Sequence, residues 1–164
     1  MKSTANRNIG EYRNNKNPHS THFRKSVTEI HMGFPFTQLP MIESKDVIGF
    51  VPMGSWENGW TGIAEYFTSA KLGVCDYSIN SMTLTHGAAV IFTEAARYDI
   101  NKEPDLLGVD GNSSAGFLYH IVWYKDNFSK ELECANMNYD PKITAKLVEL
   151  VKEIDKLPSP KITK

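Results

Sequence analysis

With 164 residues, 41% of them hydrophobic, the chain is long enough to bury a core of its own and short enough to be one domain. Eighteen basic against nineteen acidic residues leave a formal charge of −1, so no global field draws it to nucleic acid or to an anionic membrane, and partners have to be recognised locally. No apolar run is long enough for a membrane span, and the start Met1–Asn6 lacks the apolar stretch of a signal peptide; the cytoplasm is the default location, with export open if a leader has been removed.

Residues 1–30 are rich in Asn, Lys, Arg, Ser and Thr, without regular apolar spacing, so burial cannot offset the entropy of ordering them. They are expected to form a flexible polar arm with a local basic bias. Residues 31–45 hold Phe34, Pro35, Phe36, Leu39 and Pro40, the pattern of an extended strap packed over a core. The single folded domain is expected over 46–157, with 158–164 as a loose tail.

Within that domain Val47, Ile48, Phe50 and Val51 make a short strand ended by Pro52 and Gly54. Trp56, Trp60, Ile63, Ala64 and Phe67 follow at i, i+4, i+7, i+8 and i+11 behind Ser55 as N-cap, which predicts a helix over 56–72. Gly59 and Gly62 weigh against that helix unless a backbone or ligand approaches closely there. Residues 74–79 alternate as a strand, and Met82–Thr85 extend or pair with it. Residues 88–98 are apolar nearly all round, with Glu94 and Arg97 three apart, and predict a buried helix, a strand over 88–93 being the competitor. A loop is expected over 99–115. Phe117–Tyr124 is apolar on both faces and predicts a central strand; Lys125-Asp126-Asn127 turns the chain, and 130–137 returns as its partner. Asp140 as N-cap, Pro141 at the first helical position and the stripe Ile143, Leu147, Leu150, Val151, Ile154, Leu157 predict an amphipathic helix ended by Pro158.

The sum is an α+β domain, a mainly antiparallel sheet packed by helices in the order β-α-β(-β)-α-β-β-α. Cys75 and Cys134, the whole thiol content, lie on two of the strands. If strand 117–124 stands between those two, their Cα atoms exceed the roughly 7 Å that a bridge allows. Two reduced, buried thiols are therefore expected, with a bridge closing a loop of about 60 residues as the alternative.

Site chemistry is sparse. A Cys/His nucleophile pair drawn from Cys75, Cys134, His86 and His120 is opposed by His120 lying in the most apolar strand. His19 and His22 lack carboxylate or thiol partners, so no metal site is expected. Asp110, Asn112 and Ser114 begin like a calcium loop, but Ile121 stands where the bidentate carboxylate belongs. The glycines of 108–116 lack the lysine and the following helix of a phosphate loop, and no cofactor is expected. The strongest remaining signal is aromatic. It points to a non-catalytic binding or protein-interaction module with a groove between helix 56–72 and the sheet, formed around Trp56, Trp60, Tyr66, His86 and His120, for a protein or small-molecule ligand. The alternative is a small enzyme whose polar groups are His86, Asp76, Glu94 and His120.

Overall fold

In the computed structural model, residues 23–87, 100–101 and 105–162 are described. Among these residues six strands, β1 (Val47–Trp56), β2 (Trp60–Ser69), β3 (Gly73–Ser81), β4 (Asp105–Asn112), β5 (Gly116–Lys125) and β6 (Phe128–Asn136), precede one α-helix, α1 (Pro141–Asp155). They form a single antiparallel sheet in the order β1-β2-β3-β6-β5-β4. Each half is an up-and-down meander, and the halves meet where β3 pairs with β6.

This corrects the expected helix-packed α+β arrangement, since most of the regular structure of the described residues is sheet and their one α-helix is C-terminal. The expected helix over 56–72 is instead the end of β1, a hairpin and β2. Glu57-Asn58-Gly59 turns the chain, with Asn58 and Gly59 at φ 54° and 138°, and the Glu57 amide donates to the Gly59 carbonyl. Asn-Gly is a strong hairpin signal, because both residues accept positive φ. The helical spacing arose because β2 is covered on both faces: Ile63 and Phe67 point to one and Ala64 to the other, all buried. Gly59 admits the close approach foreseen for it, since an added Cβ would meet the backbone of Met32 and Gly33. There His31 and Gly33 bond Trp60 through their main chains.

The expected loop over 99–115 contains β4, an edge strand disguised by Gly108, Asp110 and Gly111. Gly108 is needed because the His120 ring of β5 lies over it where a Cβ would go. Met82–His86 form turns after β3, not another strand. The helix expected over 88–98 lies outside the described residues. At the β5–β6 hairpin Lys125 pairs with Phe128, and Asp126 and Asn127 hold φ 52° and 62°, a two-residue turn of the type that matches strand twist.

Strand β5 has a partner on each side, but it does not separate the cysteine strands. Cys75 of β3 and Cys134 of β6 stand directly opposite with Cα atoms 4.1 Å apart, and they are bridged. The expectation of two reduced thiols is thereby overturned: β6 docks on β3, and the close antiparallel pair brings the two sulfurs together inside the core.

One face of the sheet carries Phe50, Ile63, Phe67, Cys75, Tyr77, Ile79, Leu132, Cys134, Tyr119, Ile121 and Trp123, all buried. Helix α1 lies against β5 and β6 on this side, with Ile143, Leu147, Val148, Val151 and Ile154 buried and Leu150 half-buried. The Asp140 carboxylate accepts from the Lys142 amide at 2.9 Å and caps the helix. Tyr119 fixes its entry by donating to the Asn138 carbonyl and accepting from the Asp140 amide. The chain before β1 runs along β1 and β2 and reaches β6. Arg24 exchanges two main-chain bonds with Phe50, Phe34 packs edge-on against Phe128, and Leu39 is buried.

Candidate functional site

Of the residues singled out by sequence, the structure brings Trp56 and Trp60 together and places Tyr66, His86 and His120 elsewhere. Trp56 and Trp60 meet edge to face at the first hairpin, where His31 lies 5.5 Å from Trp56, and Trp56 is 56% exposed. Tyr66 is farther along β2 against Phe23. His86 sits in an exposed turn at φ 52°. His120 lies on the face opposite the core, its Nε2 at 3.0 Å from the Asp110 carboxylate. Asp76 and His120 share that face, but Glu133 of β6 stands between them in register. Glu94 lies outside the described residues. The expected groove against helix 56–72 does not exist, because that segment is part of the sheet.

The same outer face holds Glu131 and Glu133, two apart on β6, with Asp76 beside Glu133. Burial raises the Glu131 carboxyl to about 8, with smaller contributions from its hydrogen bond to Glu133 and from the Glu133 and Asp76 charges.

A concave site occurs on the core side, where the strap, β3, β6 and the end of α1 converge. A cavity of about 380 Å³ is walled by Pro35, Phe36, Leu39 and Pro40 of the strap, Tyr77 and Ile79 of β3, and Ile154, Leu157, Pro158 and Pro160 after and within α1. Lys130 of β6 adds the cation to this wall; it is buried, and its Nζ donates to Ser159 Oγ at 3.3 Å. Thr37 and Gln38 supply further polar atoms. The Tyr77 ring stacks on Trp123, and burial, then the charges of Glu65 and Asp155, push its hydroxyl upward from the ordinary phenol range.

Two buried carboxyls support this wall. Glu65, in register with Tyr77, is fully buried; its Oε2 accepts from the Leu39 amide at 2.9 Å, and its Oε1 has no hydrogen-bond partner among the described residues. Burial raises this carboxyl to about 7, against the lowering effect of the Leu39 amide. Asp155, the last residue of α1, is equally buried and accepts from Trp123 Nε1, Asn101 Nδ2 and Lys125 Nζ.

Sequence reasoning missed Glu65, Lys130 and Asp155. Each carries a signal in its spacing. Glu65 alternates with Ile63 and Phe67, and Lys130 with Phe128 and Leu132, so once those segments are read as strands both charges fall on the apolar face. Asp155 follows Leu147 and Val151 at four-residue steps, on the helix's buried stripe. A charge in such a row is expensive to bury and has to be held by partners.

Among the described residues no three His, Cys, Asp or Glu side chains group as a metal site, and no helix is long and apolar enough to cross a membrane. No protein-family model matches the chain, and neither the curated proteins nor the solved structures include one similar to it.

Proposed function

We propose that the chain is a non-catalytic binding module whose ligand is a small, mainly apolar molecule held in the cavity between strap, sheet and the end of α1. The observation that carries this reading is the cavity's composition and size. Aliphatic, aromatic and proline side chains make most of the wall, and about 380 Å³ falls in the range of small-ligand sites. Lys130 and the Tyr77 hydroxyl are the polar groups that would orient a ligand with an acceptor at one end.

Titration with a neutral naphthylamine dye, whose emission rises in apolar surroundings, tests it. Leu157→Trp, at a half-buried wall position, should fill the site and abolish the rise while leaving the unfolding midpoint nearly unchanged. Equal binding by the native chain and this variant refutes the site.

A second reading rests on Trp56, more than half exposed beside Trp60 and His31, as an anchor for a protein partner. Under that reading Trp56→Ala weakens partner binding and leaves dye binding intact. Loss of dye binding in Trp56→Ala would count against keeping the two surfaces separate.

A further inference from the structure

The strap is held to β2 by the main-chain bonds of His31 and Gly33 to Trp60, but the part of it that walls the cavity has little polar attachment to the sheet. Among the described residues, one hydrogen bond joins segment 34–41 to a strand, and it runs from the Leu39 amide to Glu65. The rest of the attachment is apolar contact through residues such as Phe34 and Leu39.

We propose that Glu65 is the latch of a pH-operated strap: while it keeps its proton, segment 35–40 stays seated on β2 and β3 and walls the cavity, and its ionisation lifts the segment and opens the cavity. This rests on the binding reading above for what the opening does, and on Glu65 and Leu39 alone for the movement.

The surroundings of Glu65 are what make its charge unwelcome. Phe50 on β1, Ile63 and Phe67 on its own strand and Leu39 on the strap are apolar, and Tyr77 on β3 is the titratable neighbour in register. The other charged groups on this face are Lys130 on β6, bonded to Ser159, Lys125 on β5, bonded to Asp155 of α1, and buried Asp105 on β4, opposite Trp123. No cation forms an ion pair with Glu65 among the described residues. Ionisation would leave a buried carboxylate with one donor, and lifting the strap hydrates it.

The direction follows by linkage. With the seated carboxyl raised to about 7 and the hydrated one near 4.5, closure is fully favoured below about 4.5 and is lost as pH rises through about 7. The same two values limit the change in the closed-to-open ratio to about 300-fold.

Amide hydrogen exchange at Leu39 in the full chain, corrected for intrinsic exchange and followed from about pH 5 to about pH 8.5, reads the latch without any ligand. A loss of protection approaching 100-fold near pH 7, with Leu132 in β6 unchanged, supports it; a flat Leu39 profile overturns it. Glu65→Gln should remove the step, and Glu131→Gln, on the opposite face, should keep it. If Glu65→Gln does not fold, the native profile still decides. Dye binding is measured over the same range. Failure to bind at every pH with the Leu39 step intact overturns the cavity reading and supports the latch, whereas binding that ignores pH beside a flat Leu39 profile overturns the latch and keeps the cavity.

Discussion

Replacing Asp155 tests whether the polar cluster under α1 holds the helix in place. The carboxylate is fully buried and accepts from Trp123 Nε1 at 3.1 Å, Asn101 Nδ2 at 3.1 Å and Lys125 Nζ at 3.3 Å. Asp155→Ala strands the indole N–H, and Trp123 has no exposure through which water could replace the lost acceptor. That one group costs about 1–3 kcal/mol. Lys125 keeps 26% of its side chain exposed and also bonds the Asp155 carbonyl, so its loss is smaller, on the order of 1 kcal/mol. Removing an anion from a helix C-terminus returns about 0.5 kcal/mol. The net expectation is a loss of about 1.5–3.5 kcal/mol, most of it from the tryptophan. Urea unfolding followed by tryptophan emission measures it, and Asp155→Asn, which keeps an acceptor for the indole, should lose less than half as much. The reasoning fails if Asp155→Ala costs under about 1 kcal/mol, or if the Asn and Ala variants are equally damaged.

Leu147→Ala, at a fully buried position of α1, should destabilise by about 2–5 kcal/mol, and Leu150→Ala, half-buried on the same helix, by clearly less; equal midpoint shifts in denaturant would show that α1 sits in a different rotation. Because Glu65 and Glu131 are raised to about 7 and about 8, their contribution to stability is complete below about 4.5 and is lost as pH rises through those values. Glu65 alone accounts for a fall on the order of 3 kcal/mol, and unfolding free energies that climb steadily from pH 5 to about pH 8 would contradict it. Non-reduced protein should show no titratable thiol on unfolding, and breaking the 59-residue link should lower stability by about 4 kcal/mol in the chain-entropy model; two free thiols before any reductant is added would contradict the bridge.

The parts of the fold legible in the sequence are those where a local signal and the tertiary environment agree. Asp140-Pro141 and the stripe from Ile143 to Leu157 place α1 within two residues of its ends, and Asp126-Asn127 places the β5–β6 turn. Segment 56–72 misled because a strand buried on both faces has no period of two, leaving its apolar residues free to match a helical spacing by chance. Asn58-Gly59 was the stronger local evidence, and it pointed to a hairpin. Strand β4 was hidden for a different reason: at a sheet edge beside His120 it needs a glycine where a strand reading wants a side chain. The order of strands was not legible at all. Nothing local to β3 specifies that its partner is β6, so the cysteine pairing could not be read without the topology. The cavity was not legible, because what Phe34 to Pro40 cover depends on which strands lie beneath them.

The meeting of the two meanders at β3 and β6 also bears on how copies of the chain could become entangled. Each meander is built from contiguous strands joined by tight turns, so it can assemble on its own, whereas the β3–β6 pairing has to wait for the two halves to find each other. Nothing in that pairing requires both halves to come from one molecule. At high concentration during refolding, the second half of one copy can dock on the first half of another, exchanging identical elements into a swapped dimer. Oxidation would then record the error, since Cys75 would be tied to Cys134 of a different copy. A dimer that survives denaturant and falls to monomer on reduction, in an amount that grows with the concentration at refolding, is the signature; refolding that yields monomer alone at every concentration would show that the connection between the halves closes the sheet faster than a second copy can.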